Sequence, residues 1–90
     1  MDLPDIADYV ANQNPPGADR LIERLHGACQ MLDRRPALGH VRHDLAPGRD
    51  DIRFWPVGRY LIVYQTRKGG IQVVGILSGQ RDVAKLLGPL

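Results

Sequence analysis

Apolar residues recur every three or four positions before Pro36 and in every second position after Ile52. Leu3, Ile6, Ala7 and Val10 fall at i, i+3, i+4 and i+7, which predicts one face of a helix, with Asp2 as its N-cap and Pro4 in its first turn. That stripe stops before Asn14-Pro15-Pro16-Gly17, the densest cluster of breakers and short enough to join two helices. A second stripe runs through Leu21, Ile22, Leu25, Ala28, Cys29 and Leu32. Asp19, Arg20, Glu23, Arg24 and Gln30 occupy its opposite, wet side. Gly27 weakens this helix by roughly 1 kcal/mol relative to Ala and is expected to mark close packing. Pro36 ends it. Two amphipathic helices with a short connection predict a helical hairpin.

Periodicity is lost from Pro36 to Asp51, where His40, Arg42, His43, Asp44, Arg49, Asp50 and Asp51 predict an exposed connection. Three strands are then expected: Ile52 to Pro56, Arg59 to Thr66, and Ile71 to Leu77. Val57-Gly58 is the first expected turn and Arg67-Lys68-Gly69-Gly70 the second. In the middle strand Tyr60, Ile62 and Tyr64 share one face, Leu61 and Val63 the other. Both faces are apolar, so this strand is central and covered on both sides. In the third strand simple alternation places Val73 with Leu77, and Val74 with Ile76. The predicted fold is α+β: an N-terminal helical hairpin on one face of a small antiparallel sheet, with an unidentified cover for part of the other face. Val83, Leu86 and Leu87 predict a short apolar-sided C-terminal helix or tail with no partner that the sequence identifies.

Composition narrows the classes. Ninety residues, 43% apolar and 24% charged, fit a single domain over residues 1–90 with one modest core. A formal charge of +2 is mild for a DNA-coating protein and leaves a partner with an acidic surface open. Cys29 is the only cysteine, so no intrachain disulfide can form and a reducing cytoplasm is the expected setting. The acidic N-terminus lacks the pattern of a secretory signal, and no apolar run is long enough to span a membrane.

Candidate chemistry is sparse. His26-x2-Cys29 and His40-x2-His43 resemble a metal-ligand set, but the apolar stripe already accounts for Cys29 as a small core residue, so no metal or other cofactor is expected. An RNA-cutting site would need a base, an acid and cations. Arg53, Arg59 and Arg81 could be the cations, and His40, His43 and Tyr64 the proton-transfer groups. The strands contain no histidine, and Tyr60 and Tyr64 share the apolar alternation that packing alone explains. Trp55 beside Pro56 suits either a partner anchor or a cover for the sheet edge. No phosphate loop, Ser-His-Asp set or paired catalytic acids are present.

Taken in order, the segments resemble a known family. Asp5-Ile6-Ala7-Asp8-Tyr9-Val10-Ala11 is similar to the first helix of the ParE branch of the RelE/ParE toxin superfamily, and Ala18 to Leu25 to its second. Pro36-Ala37-Leu38-Gly39, the hairpin from Arg53 to Tyr64, and Ile76-Leu77-Ser78-Gly79-Gln80-Arg81-Asp82 resemble its later motifs. Members usually place a strand before the first helix; here the chain opens at the helix, so either the start is shortened or this version lacks that strand, and a missing strand would leave a sheet edge open to a partner or a second copy. Ser78 stands where many relatives have histidine, and the tail offers Arg81 without a terminal tyrosine or histidine.

The resemblance therefore implies the ParE type: a bacterial, plasmid-stabilising toxin of a type II toxin–antitoxin pair that binds DNA gyrase and stabilises cleaved DNA, with no catalytic residues. It implies a cognate antitoxin laid over the toxin as a helix and an extended segment, in a homodimer or a heterotetramer, with no membrane role and no sequence-specific DNA binding by this chain alone. Under it, Arg59 and Arg81 are the candidates for target contact. Trp55, Tyr60, Val83, Leu86 and Leu87 are the candidates for antitoxin contact. A RelE-type ribosome-dependent endoribonuclease would instead need Arg53, Arg59 and Arg81 on one concave surface beside a proton-transfer group. A non-toxic interaction module of the same fold is the third reading.

Overall fold

The structure is a computed structural model that describes residues 17–80 and 82–88. The helix expected over Leu3 to Val10, any strand before it, and Arg81 lie outside the described residues. Helix α1 spans Ala18–Arg34 and follows Gly17, whose φ of 72° fits the sharp entry and which offers no side-chain cap. Its end is set by Pro36, which disfavours helical geometry at the preceding residue; Arg35 leaves the helix at φ −134°. A single 3₁₀ turn, Pro36–Leu38, follows. Strands β1 (Ile52–Val57), β2 (Tyr60–Arg67) and β3 (Gly70–Leu77) form an antiparallel sheet in the order β1-β2-β3, and helix α2 spans Val83–Leu87.

The predicted α+β arrangement of helix and sheet is therefore present, with β2 in the centre and apolar on both faces. Tyr60, Ile62 and Tyr64 join Leu25, Cys29 and Leu32 of α1 in one core. Leu61 and Val63 join Ile52, Phe54, Ala46 and Val83 in a second. Of the α1 stripe, Leu25, Cys29 and Leu32 are buried, while Leu21, Ile22 and Ala28 pack at its margin. Asp33 fixes the far end of α1 to the sheet, its Oδ1 accepting the Ile71 N–H at 3.2 Å.

Several details depart from the pattern. The first turn is Gly58-Arg59, with Val57 paired to Tyr60, and the second is Lys68-Gly69, with Arg67 paired to Gly70. Gly58 (φ 56°) and Gly69 (φ 84°) supply the left-handed backbone that these two-residue turns need. The alternation expected in β3 is broken by a bulge: Val63 pairs with Gly75 but Tyr64 with Val73, so Val74 is the extra residue. One extra residue reverses the faces beyond it. Ile76 consequently joins Val73 in the first core, and Leu77 packs beside Val74 on the second.

Gly27 is exposed, and no atom of the described residues stands within 4 Å of where its Cβ would be, so among them it marks no close packing. The connection is not simply exposed: His40 makes an antiparallel bridge to Phe54, and Ala46 is fully buried. The tail also has an internal partner, because α2 packs Val83 into the second core with Leu86 and Leu87 at its margin. Leu86 seats over Gly75, where a Cβ would stand 2.7 Å from its Cδ2. Ala46 and α2 are thus the cover that the second face of the sheet requires.

Candidate functional site

A cavity of about 560 Å³ lies between the first turns of α1 and the β1–β2 turn, lined among the described residues by Gly17, Arg20, Leu21, Arg24, Gly58, Arg59 and Tyr60. Helical spacing stacks Arg20 and Arg24 one turn apart, and the hairpin brings Arg59 to face them. Arg24 reaches over the turn: its Nη1 lies 3.7 Å from where a Cβ on Gly58 would stand. All three arginines are exposed, and the ion pairs among the described residues are elsewhere, between Arg42 and Asp44, His43 and Asp50, and Arg49 and Asp51. No described carboxylate lines this cavity. Tyr60 and Leu21 form its apolar floor, Tyr60 only 4% exposed.

A second polar constellation lies at the other end of the sheet and is structural in its contacts. The Tyr64 hydroxyl, fully buried, donates to the Pro36 carbonyl at 2.6 Å and accepts the Gly39 N–H at 2.8 Å. Gly39 is required there because a Cβ would overlap the Tyr64 ring and hydroxyl. Arg53 donates from Nη1 to the Gly39 carbonyl at 2.7 Å and to the Ala37 carbonyl at 3.3 Å. Burial raises the Tyr64 pKa above the ordinary phenol range, against lesser opposing effects from the Gly39 N–H and the Arg53 charge. Arg53 and Tyr64 are thus committed to holding residues 36–39 on the sheet.

The remaining candidates are placed as follows. Arg59 is exposed in the β1–β2 turn. Trp55 is half-buried on the edge strand β1, its ring stacked on His40 with centroids 6.2 Å apart and planes 13° apart. Val83 is 1% exposed and, like Tyr60, serves the chain's own cores, whereas Leu86 and Leu87 keep part of their surface outside. Of the metal-like set, Cys29 is sealed in the first core, His26 is exposed, His40 is stacked on Trp55, and His43 binds Asp50. Among the described residues, no three His, Cys, Asp or Glu side chains stand close enough to hold a metal ion.

The helical pattern of the sequence places Arg20 and Arg24 on a solvated face and does not join them to Arg59. The available signal was their i, i+4 spacing at the start of a helix. It becomes a site only when the hairpin brings Gly58 and Arg59 alongside.

No helix among the described residues is long and apolar enough to cross a membrane. A search of curated proteins finds no match to the chain. The family model described as ParE toxin of type II toxin-antitoxin system, parDE, matches residues 1–83, which takes in α1, the whole sheet and the start of α2. The chain belongs to the family of ParE toxins of type II toxin–antitoxin systems.

Proposed function

We propose that this toxin acts in the cytoplasm by binding DNA gyrase and stabilising its cleaved DNA complex, and that a cognate antitoxin neutralises it. The observation that carries this reading is the family match over residues 1–83. The surface chemistry is compatible with it. Arg59 sits exposed in the β1–β2 turn, lining the arginine-bounded cavity, and is the residue we assign to target contact together with Arg81. The toxin makes and breaks no covalent bond in this account; it supplies a charged, preformed surface.

Antitoxin contact is assigned to Trp55 and to the outer surface of Leu86 and Leu87, with Tyr60 and Val83 fixing the elements that carry them. A helix laid beside α2 and an extended segment on a sheet edge are the modes this surface admits, within a heterotetramer or on a toxin homodimer. Ribonuclease action has less support, since Arg53 and Tyr64 are engaged by backbone groups of residues 36–39 and do not line the cavity that holds Arg59.

Induced expression in bacterial cells tests the reading. Growth arrest with chromosomal double-strand breaks, relieved by co-expressed antitoxin, is the expected result. Arrest with intact chromosomes and mRNA cut on ribosomes would replace it with the ribonuclease. Unimpeded growth with folded toxin present would leave only a non-toxic module.

A further inference from the structure

We propose that the cavity bounded by Arg20, Arg24 and Arg59 binds the phosphoryl groups of a ligand carrying two or more negative charges. This goes beyond the choice of target and does not depend on gyrase. Its volume of about 560 Å³ falls within the roughly 300–1,000 Å³ of small-ligand sites. Its charged lining among the described residues consists of three arginines from two separate elements.

Packing does not explain this convergence, because all three side chains are exposed. Among the described residues local pairing does not explain it either, since none of their carboxylates lies within ion-pair distance of the three arginines. Like charges at i and i+4 cost an isolated helix a few tenths of a kcal/mol, and a third guanidinium facing them adds to the repulsion. A bound polyanion would relieve it.

The chemistry of the groups favours phosphate over carboxylate. Guanidinium groups present paired N–H donors that match phosphate oxygens, and arginine rather than lysine occupies all three positions. A lone carboxylate would balance only one of three positive charges, whereas a terminal phosphate or a pyrophosphate balances two or more. The Arg24 guanidinium lies over the turn, its Nη1 at an ordinary contact distance of 3.7 Å from where a Cβ on Gly58 would stand. The phosphate could belong to a free polyphosphate or to the 5′ end of a nucleic-acid strand.

The test is a nitrogen–proton NMR titration of the whole chain, reading the arginine Nε–H and Gly58 amide signals, at about 50 mM salt. The probes are inorganic pyrophosphate, a 5′-phosphorylated oligonucleotide, the same oligonucleotide without the phosphate, and an acidic peptide of matched charge. Saturable pyrophosphate shifts at Arg20, Arg24 and Arg59 are expected. Arg20→Gln, Arg24→Gln and Arg59→Gln should each weaken binding about tenfold or more. Arg67→Gln, on the distant hairpin, should leave it unchanged.

Tighter binding of the 5′-phosphorylated strand than of pyrophosphate would assign the phosphate to nucleic acid; the reverse order would assign it to a free polyphosphate. Shifts spread evenly over Arg34, Arg67 and Lys68 would overturn the proposal. So would wild-type affinity in the three cavity variants with unperturbed spectra, equal binding with and without the 5′ phosphate together with no pyrophosphate response, or a tighter grip on the peptide than on pyrophosphate.

Discussion

Replacing Tyr64 by Phe removes one oxygen atom, yet it should weaken the fold substantially. The hydroxyl is the partner of two backbone groups that no ladder serves, the Gly39 N–H and the Pro36 carbonyl. Phe keeps the buried ring, so no side-chain-sized cavity opens. What remains is a buried N–H without an acceptor, costing about 1–3 kcal/mol, and a half-buried carbonyl that water can reach at smaller cost. The sum is about 2–3 kcal/mol. At roughly 4–8 °C per kcal/mol for a domain of this size, the melting temperature should fall by roughly 10–20 °C.

Urea unfolding followed by the fluorescence of Trp55, the only tryptophan, measures it. The Gly39 amide should lose hydrogen-exchange protection in the same variant. Arg53→Met removes the donor to the Gly39 carbonyl, so the double variant should be non-additive by about 0.5 kcal/mol or more, because both changes release the same segment. A loss under about 0.5 kcal/mol for Tyr64→Phe, with Gly39 still protected, would refute the claim that this hydroxyl clasps residues 36–39 to the sheet.

Three further outcomes are expected. Gly75→Val should cost about 1–3 kcal/mol and raise protease sensitivity around α2, because its side chain meets Leu86 where none now stands. The Cys29 thiol, pushed up to about 11 by burial, should resist a disulfide reagent at pH 8 until the protein unfolds; rapid labelling of the native protein would contradict the packing of the first core. Asp51 is held well below the usual carboxylate range, first by the Arg49 guanidinium and then by the Gln65 amide, so its contribution is present above the unfolded value near 3.9 and is lost as pH falls toward its native value. Melting temperature measured against pH should therefore fall less steeply below about pH 4 in Asp51→Asn than in wild type, with the difference shrinking at high salt.

Period-3.6 and period-2 patterns were enough to find α1 and the three strands, because each buries a stripe or a face that the residue order displays. The two-faced burial of β2 was legible for the same reason. The bulge at Val74 was not, because the apolar run of β3 reads the same with or without an extra residue; the seat of Leu86 on Gly75 likewise appears only when α2 lies against β3. Ala46 looked like loop, as a lone alanine carries no period, and its burial depends on a face built from residues far along the chain. The Tyr64 clasp was hidden because its apolar alternation is satisfied by the ring while its hydroxyl serves a segment more than twenty residues away. The arginine cavity joins two elements in the same way, and in the sequence only Arg59 stands out as a contact candidate.

The most direct test of gyrase poisoning combines the purified toxin, DNA gyrase and relaxed plasmid, with and without its antitoxin. Supercoiling and gyrase-linked linear DNA are read together. Lost supercoiling with accumulation of linked breaks, reversed by antitoxin and reduced in Arg59→Gln, is the predicted result. Normal supercoiling and no trapped DNA, with folded toxin in micromolar excess over gyrase, would contradict it.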